Sequence, residues 1–94
     1  MELNNNTIIS ATSQQVSSSL GSETVILDLA KGEYFGLNEV GSRIWEFVQQ
    51  RRTISEIMAM LENEFDAPRE QLLADLQEFL SRMHDAGLIE THPC

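Results

Sequence analysis

The residues best suited to ligate a metal are His84, His92 and Cys94, and their spacing does not favour a site. The chain has no CxxC, no HxxxH and no cluster of carboxylates at ligand spacing, so no metal centre is expected. Nucleophilic catalysis finds no better footing. Cys94 follows Pro93 in a segment expected to fray, His84 falls on the polar side of a helix, and no serine sits in a GxSxG elbow. Glu62 with Glu64, and Asp75 with Glu78, read as solvated helix faces rather than acid–base pairs. Gly32, Gly36 and Gly41 are too far apart to cradle a phosphate. These absences predict a protein that is not an enzyme and carries no cofactor.

Nucleic acid is disfavoured by charge. Fifteen acidic residues oppose six basic ones, for a net charge of −9. The helix that would enter a groove offers Arg69 and Arg82 against Glu70, Asp75, Glu78 and Asp85. Each neutralised phosphate needs a cation, and this surface has few. Anionic membranes are disfavoured for the same reason, whereas neutral or basic partners suit it.

The 94 residues amount to one domain, residues 1–94, with 1–6 and 90–94 expected to be flexible. An apolar fraction of 41% marks a folded chain. The start is polar, with no signal peptide, the single cysteine cannot form an internal disulfide, and no apolar run approaches the ~20 residues that cross a bilayer. A cytoplasmic protein is expected.

The elements follow from periodicity. Residues 7–11 (TIISA) are β-branched and predict a strand, while 12–19 are Ser/Gln-rich and predict a loop. Residues 24–29 (TVILDL) place Val25, Leu27 and Leu29 on one face. A three-residue connection ending in Gly32 then leads into Glu33–Leu37, a hairpin pattern. Asn38 starts a helix carrying Val40, Ile44, Trp45, Phe47 and Val48, closed by the charges of Arg51 and Arg52. Thr53-Ile54-Ser55-Glu56 is a capping box opening a second helix with Ile57, Met58, Leu61 and Phe65 inside. A third helix spans about 68–86 on a stripe of Leu72, Leu73, Leu76, Phe79, Leu80 and Met83, and ends at Gly87. The fold class is α+β: an N-terminal three-stranded antiparallel sheet followed by three helices, a winged helix-turn-helix.

Such a fold can bind an extended peptide. If Glu33–Leu37 lies at the sheet edge, its unpaired amides and carbonyls can accept another strand. Gly36 then either admits a neighbouring backbone or marks a bulge. Tyr34 points away from Phe35 and Leu37, as a surface aromatic or a groove residue. The apolar stripe of the third helix is about 120° wide and could wall a groove. Leu76, Leu80 and Met83 read first as core, and Leu73 lies at its border.

The ordered set TVILDL, KGEYFGLN (residues 31–38), Gly41, Ile44-Trp45, TISEI, Asp75–Leu80 and Ala86-Gly87-Leu88-Ile89 resembles the PqqD-like family over residues 7–89. That family is the recognition element of ribosomal peptide biosynthesis. The resemblance implies that the leader segment of a precursor peptide adds as an antiparallel strand beside the third strand, in a groove walled by the third helix. Carried over, Glu33, Tyr34, Phe35, Gly36 and Leu37 pair with the peptide, and Leu73, Asp75, Leu76 and Leu80 contact its side chains. Leu72 and Phe79 are the alternative set if the other border faces the groove. The chain reads as complete, like the stand-alone members of lasso-peptide pathways, which imply a separate leader peptidase and cyclase as partners. A monomer or weak dimer is expected, with pairing through the free edge competing against peptide. A winged-helix regulator or adaptor is the competing reading.

Overall fold

The computed structural model describes residues 4–92. Its elements are β1 (Ile8–Ala11), β2 (Gln15–Leu20), β3 (Glu23–Asp28), β4 (Glu33–Leu37), α1 (Glu39–Gln49), β5 (Arg52–Thr53), α2 (Ile54–Glu64), α3 (Arg69–Asp85) and β6 (Ile89–His92). The expected α+β architecture is present, a three-stranded antiparallel sheet followed by three helices in the winged-helix manner. The strand membership differs from expectation. The sheet before the helices is ordered β2-β3-β4, and β1 instead lies between β5 and β6 in a second sheet. Residues 15–20, all but the last within the expected loop of 12–19, are a full strand in register with β3 from Gln15↔Asp28 to Leu20↔Glu23. Their own pattern is weak; pairing with β3 supplies the order.

The hairpin β3-β4 turns through four residues rather than three. Leu29 has left the strand, and Asp28 directs the turn: its Oδ1 accepts from the amides of Ala30 and Lys31 at 3.0 and 3.4 Å. Its carbonyl takes the Gly32 amide at 2.7 Å, with Gly32 left-handed at φ 69°. That explains why a carboxylate 2% exposed sits on the buried face of β3. Thr24, Ile26 and Asp28 face inward, so the Val25 and Leu27 stripe faces outward, beside Val16 and Tyr34 at 56% and 70% exposure.

Helix termini are satisfied locally. Asn38 Oδ1 accepts from Gly41 N at 2.8 Å to start α1. The helix closes on Arg51, left-handed at φ 57°, whose amide reaches Val48 O. Arg52 does not serve that helix end: it lies in β5 and pairs with Glu56 at 3.5 Å. At the start of α2, Thr53 Oγ1 accepts from Glu56 N, and Glu56 Oε1 accepts from Thr53 N. The next two amides are met by main chain, Ile54 N by Thr7 O and Ser55 N by Asn5 O. Thus residues 4–6, expected to be flexible, form a turn against α2. Likewise 90–92 pair with β1, with His92 Nε2 2.9 Å from Ser10 Oγ. Residues 1–3, Pro93 and Cys94 lie outside the described residues. The end of α3 is a Schellman motif: Leu88 N bonds Met83 O and Gly87 N bonds His84 O, with Gly87 at φ 76°.

The core gathers Ile9, Ile26, Ile44, Trp45, Ile57, Leu61, Leu72, Leu76, Leu80 and Met83 between the helices and both sheets. Among the described residues no helix is long and apolar enough to cross a membrane.

The capping box yields a stability prediction. Thr53→Ala removes the acceptor of the Glu56 amide and is expected to destabilise by about 1 kcal/mol in urea melts. The Glu56 carboxyl is held below its ordinary value, first by the Thr53 backbone amide, then by its hydroxyl and Arg52. A carboxyl so lowered stabilises the fold above its unfolded value and loses that contribution as pH falls through the lowered one. Glu56→Gln should therefore flatten the acid limb of the stability–pH curve and leave its alkaline limb unchanged.

Candidate functional site

β4 is a terminal strand of its sheet, with a free side. The direction of its backbone groups follows from the hairpin. Leu29 N bonds Gln14 O on the β2 side, while Asp28 O faces the loop leading to β4. Backbone groups alternate along a strand, so those of Thr24, Ile26 and Asp28 point to β4 and bond their partners Leu37, Phe35 and Glu33. Those of Tyr34 and Gly36 therefore point out from the free edge. The register is unbroken from Thr24↔Leu37 to Asp28↔Glu33, so Gly36 is not a bulge. A Cβ at Gly36 would meet no atom within 4 Å.

Beside this edge runs a groove of about 240 Å³. Gly36 and Leu37 form one side, the first turns of α1 with Asn38, Val40, Gly41 and Ile44 form the end, and α3 forms the wall with Asp75, Glu78, Phe79 and Arg82. Arg82 leans across to β4, its guanidinium carbon 5.6 Å from the centre of the Phe35 ring, a cation–π distance.

The expected site residues are only partly brought together. Glu33, Tyr34, Phe35, Gly36 and Leu37 form the edge strand, with Tyr34 turned to the outer sheet face. Asp75 lines the groove. Leu76 and Leu80, at 1% and 0% exposure, are core, and Leu73 is half-buried away from the groove. The wall belongs to the other border of α3, where Phe79 was the alternative, although Leu72 at 1% exposure is also core. Glu78 and Arg82 escaped the sequence reading. Their signal was spacing: Asp75, Glu78 and Arg82 recur at i, i+3 and i+7 beside the apolar stripe and share one face.

Cations are dispersed elsewhere. Arg43 hydrogen-bonds Glu64 at 2.8 Å and pairs with Glu46, which lifts the guanidinium above its ordinary value, and Arg69 pairs with Glu62. With Arg52 on Glu56, half of the six cations are held by carboxylates, leaving no basic stripe for a phosphate backbone. Among the described residues no three His, Cys, Asp or Glu side chains are grouped to hold a metal ion.

A family model described as coenzyme PQQ synthesis protein D matches residues 23–89. No curated protein matches the chain. Among solved structures, the chain is similar to TbiB1 in complex with the TbiA(beta) leader peptide. The two are 33% identical, the match covers 86% of this chain and 94% of that one, and the TM-score is 0.78. A lasso peptide synthetase B1 complexed with the leader peptide shares the fold, at 17% identity, 87% and 96% coverage and a TM-score of 0.75.

Proposed function

The chain belongs to the PqqD family, and from that premise we propose that it binds the leader segment of a ribosomally made precursor peptide and presents it to modifying enzymes, without catalysing a reaction itself. The observation that carries the reading is the free edge of β4. The outward backbone groups of Tyr34 and Gly36 stand beside the groove walled by α3. Main-chain bonds would supply much of the affinity, and the α3 wall would select side chains. A relative of 33% identity solved with a leader peptide supports the ligand class, and the resemblance read from the sequence favours a lasso-type pathway. A separate leader peptidase and a cyclase are the proposed recipients, and a cytoplasmic setting fits such a task. The peptide-contacting set we propose is Tyr34 and Gly36 through the backbone, with Asp75, Glu78, Phe79 and Arg82 from the wall.

The test is fluorescence polarisation with labelled leaders taken from short open reading frames beside the gene. Saturable binding to one leader, weakened only mildly by salt, is the expected result. No binding to any of them by a folded, monodisperse protein would overturn the reading and turn attention to an adaptor role.

A further inference from the structure

We propose that the groove selects the order of charges in the strand it binds, N to C: a basic residue, an apolar residue two positions on, and an acidic residue two further. This rests on the strand-addition reading and adds a specificity to it.

Arg82 is fixed at the Phe35 end of the groove by its contact with that ring. Asp75 stands seven residues earlier on α3, about 10 Å back along the axis. With Glu78 it therefore lies toward the end formed by Leu37, Asn38 and Gly41. Among the described residues none of the three groups is in an ion pair, whereas Arg43, Arg52 and Arg69 all are. Asp75 accepts only from Gln71 Nε2, on Oδ1 at 3.0 Å. The start of α1 lies at the acidic end, but its dipole amounts to about half a charge, against two full carboxylates. That end stays negative.

The sheet β2-β3-β4 is antiparallel throughout, and an antiparallel addition continues it. The peptide's N-terminal part then lies by Leu37 and the carboxylates, its C-terminal part by Phe35 and Arg82. Strand side chains alternate, so groove-facing ones recur about every 6.7 Å, and three of them span about 13 Å. Long side chains accommodate the difference from 10 Å. The middle one meets Phe79 and Val40.

Two labelled synthetic peptides of one composition test this. Both use the same β-prone frame, one with Lys, Leu and Glu at alternate positions and the other with Glu, Leu and Lys. In polarisation titrations against the whole protein, the Lys-first peptide should bind about tenfold tighter at low salt, the gap narrowing as salt rises. The variant Asp75→Lys, Glu78→Lys, Arg82→Glu should reverse the preference; if it does not fold, the wild-type comparison decides alone. Equal affinity, a preference for the Glu-first peptide, or binding of neither overturns the proposal. Gly36→Pro separates the two levels. Equal binding that this variant abolishes leaves strand addition standing without charge order; discrimination that it leaves untouched removes strand addition, and this proposal with it.

Discussion

Gly36→Pro is expected to weaken leader binding by at least about thirtyfold while leaving the fold intact. The amide at position 36 points out from the free edge of β4, so it contributes nothing to the pairing with β3. Proline is tolerated on such an edge for that reason. For an added strand the same amide is a donor. Its removal takes away a net ~1 kcal/mol hydrogen bond, and the facing peptide carbonyl is left unsatisfied at a further ~1–3 kcal/mol. At 1.4 kcal/mol per tenfold, the sum is about 30- to 700-fold. Gly36→Ala is the gentler companion: its methyl meets open space, and binding should stay within a fewfold of the wild type. Arg69→Ala, on an exposed face paired with Glu62, should change little. Equal losses for Gly36→Pro and Arg69→Ala, with circular dichroism unchanged, would remove strand addition from consideration.

Leu80→Ala carries the largest expected loss of stability. Leu80 is fully buried in the cluster where α3 meets the other helices. Truncating a leucine there removes transfer free energy and leaves a cavity, at a cost of about 3 kcal/mol. In a domain of this size that corresponds to a fall in Tm of about 12–24 °C. Peptide affinity of the fraction that remains folded, measured well below the new Tm, should be close to wild type. A Tm within a few degrees of the wild type combined with weakened binding would instead place Leu80 in the groove wall, as the family resemblance had implied.

What could be read from the sequence was what side chains settle with their own neighbours. The capping box at Thr53, the Asn38 cap and the Gly87 helix end each depend on residues within five positions of one another. The β3-β4 hairpin was legible on the same grounds. The two-residue period of TVILDL defined two faces but not which was buried; Asp28 settles that by turning inward to hold the Ala30 and Lys31 amides. β5 and β6 depend on β1, distant in sequence, which no local pattern reveals. β2 adjoins β3 across a two-residue turn and was missed because its own Ser-rich pattern is weak. The groove divides likewise. Its edge strand followed from chain order. Leu76, Leu80 and Met83 read first as core and are buried. The resemblance carried Leu76 and Leu80 into the wall, whereas the groove is lined instead by the charged border beside them.

β1 joins strands from the middle and the far end of the chain, with Ser10 and His92 in contact although 82 positions apart. On the ribosome this strand is made well before its longer partner. The hairpin and the helices can form from nearby residues as they emerge, whereas closing the β5-β1-β6 sheet must wait for residues 89–92 and bear the entropy of a long loop. Until then β1 has only the two residues of β5 to pair with, and its other edge stays open to any extended segment nearby. The domain therefore completes itself only once residues 89–92 are available, and the free edge on β4, built from local pairing alone, is in place before the rest has closed.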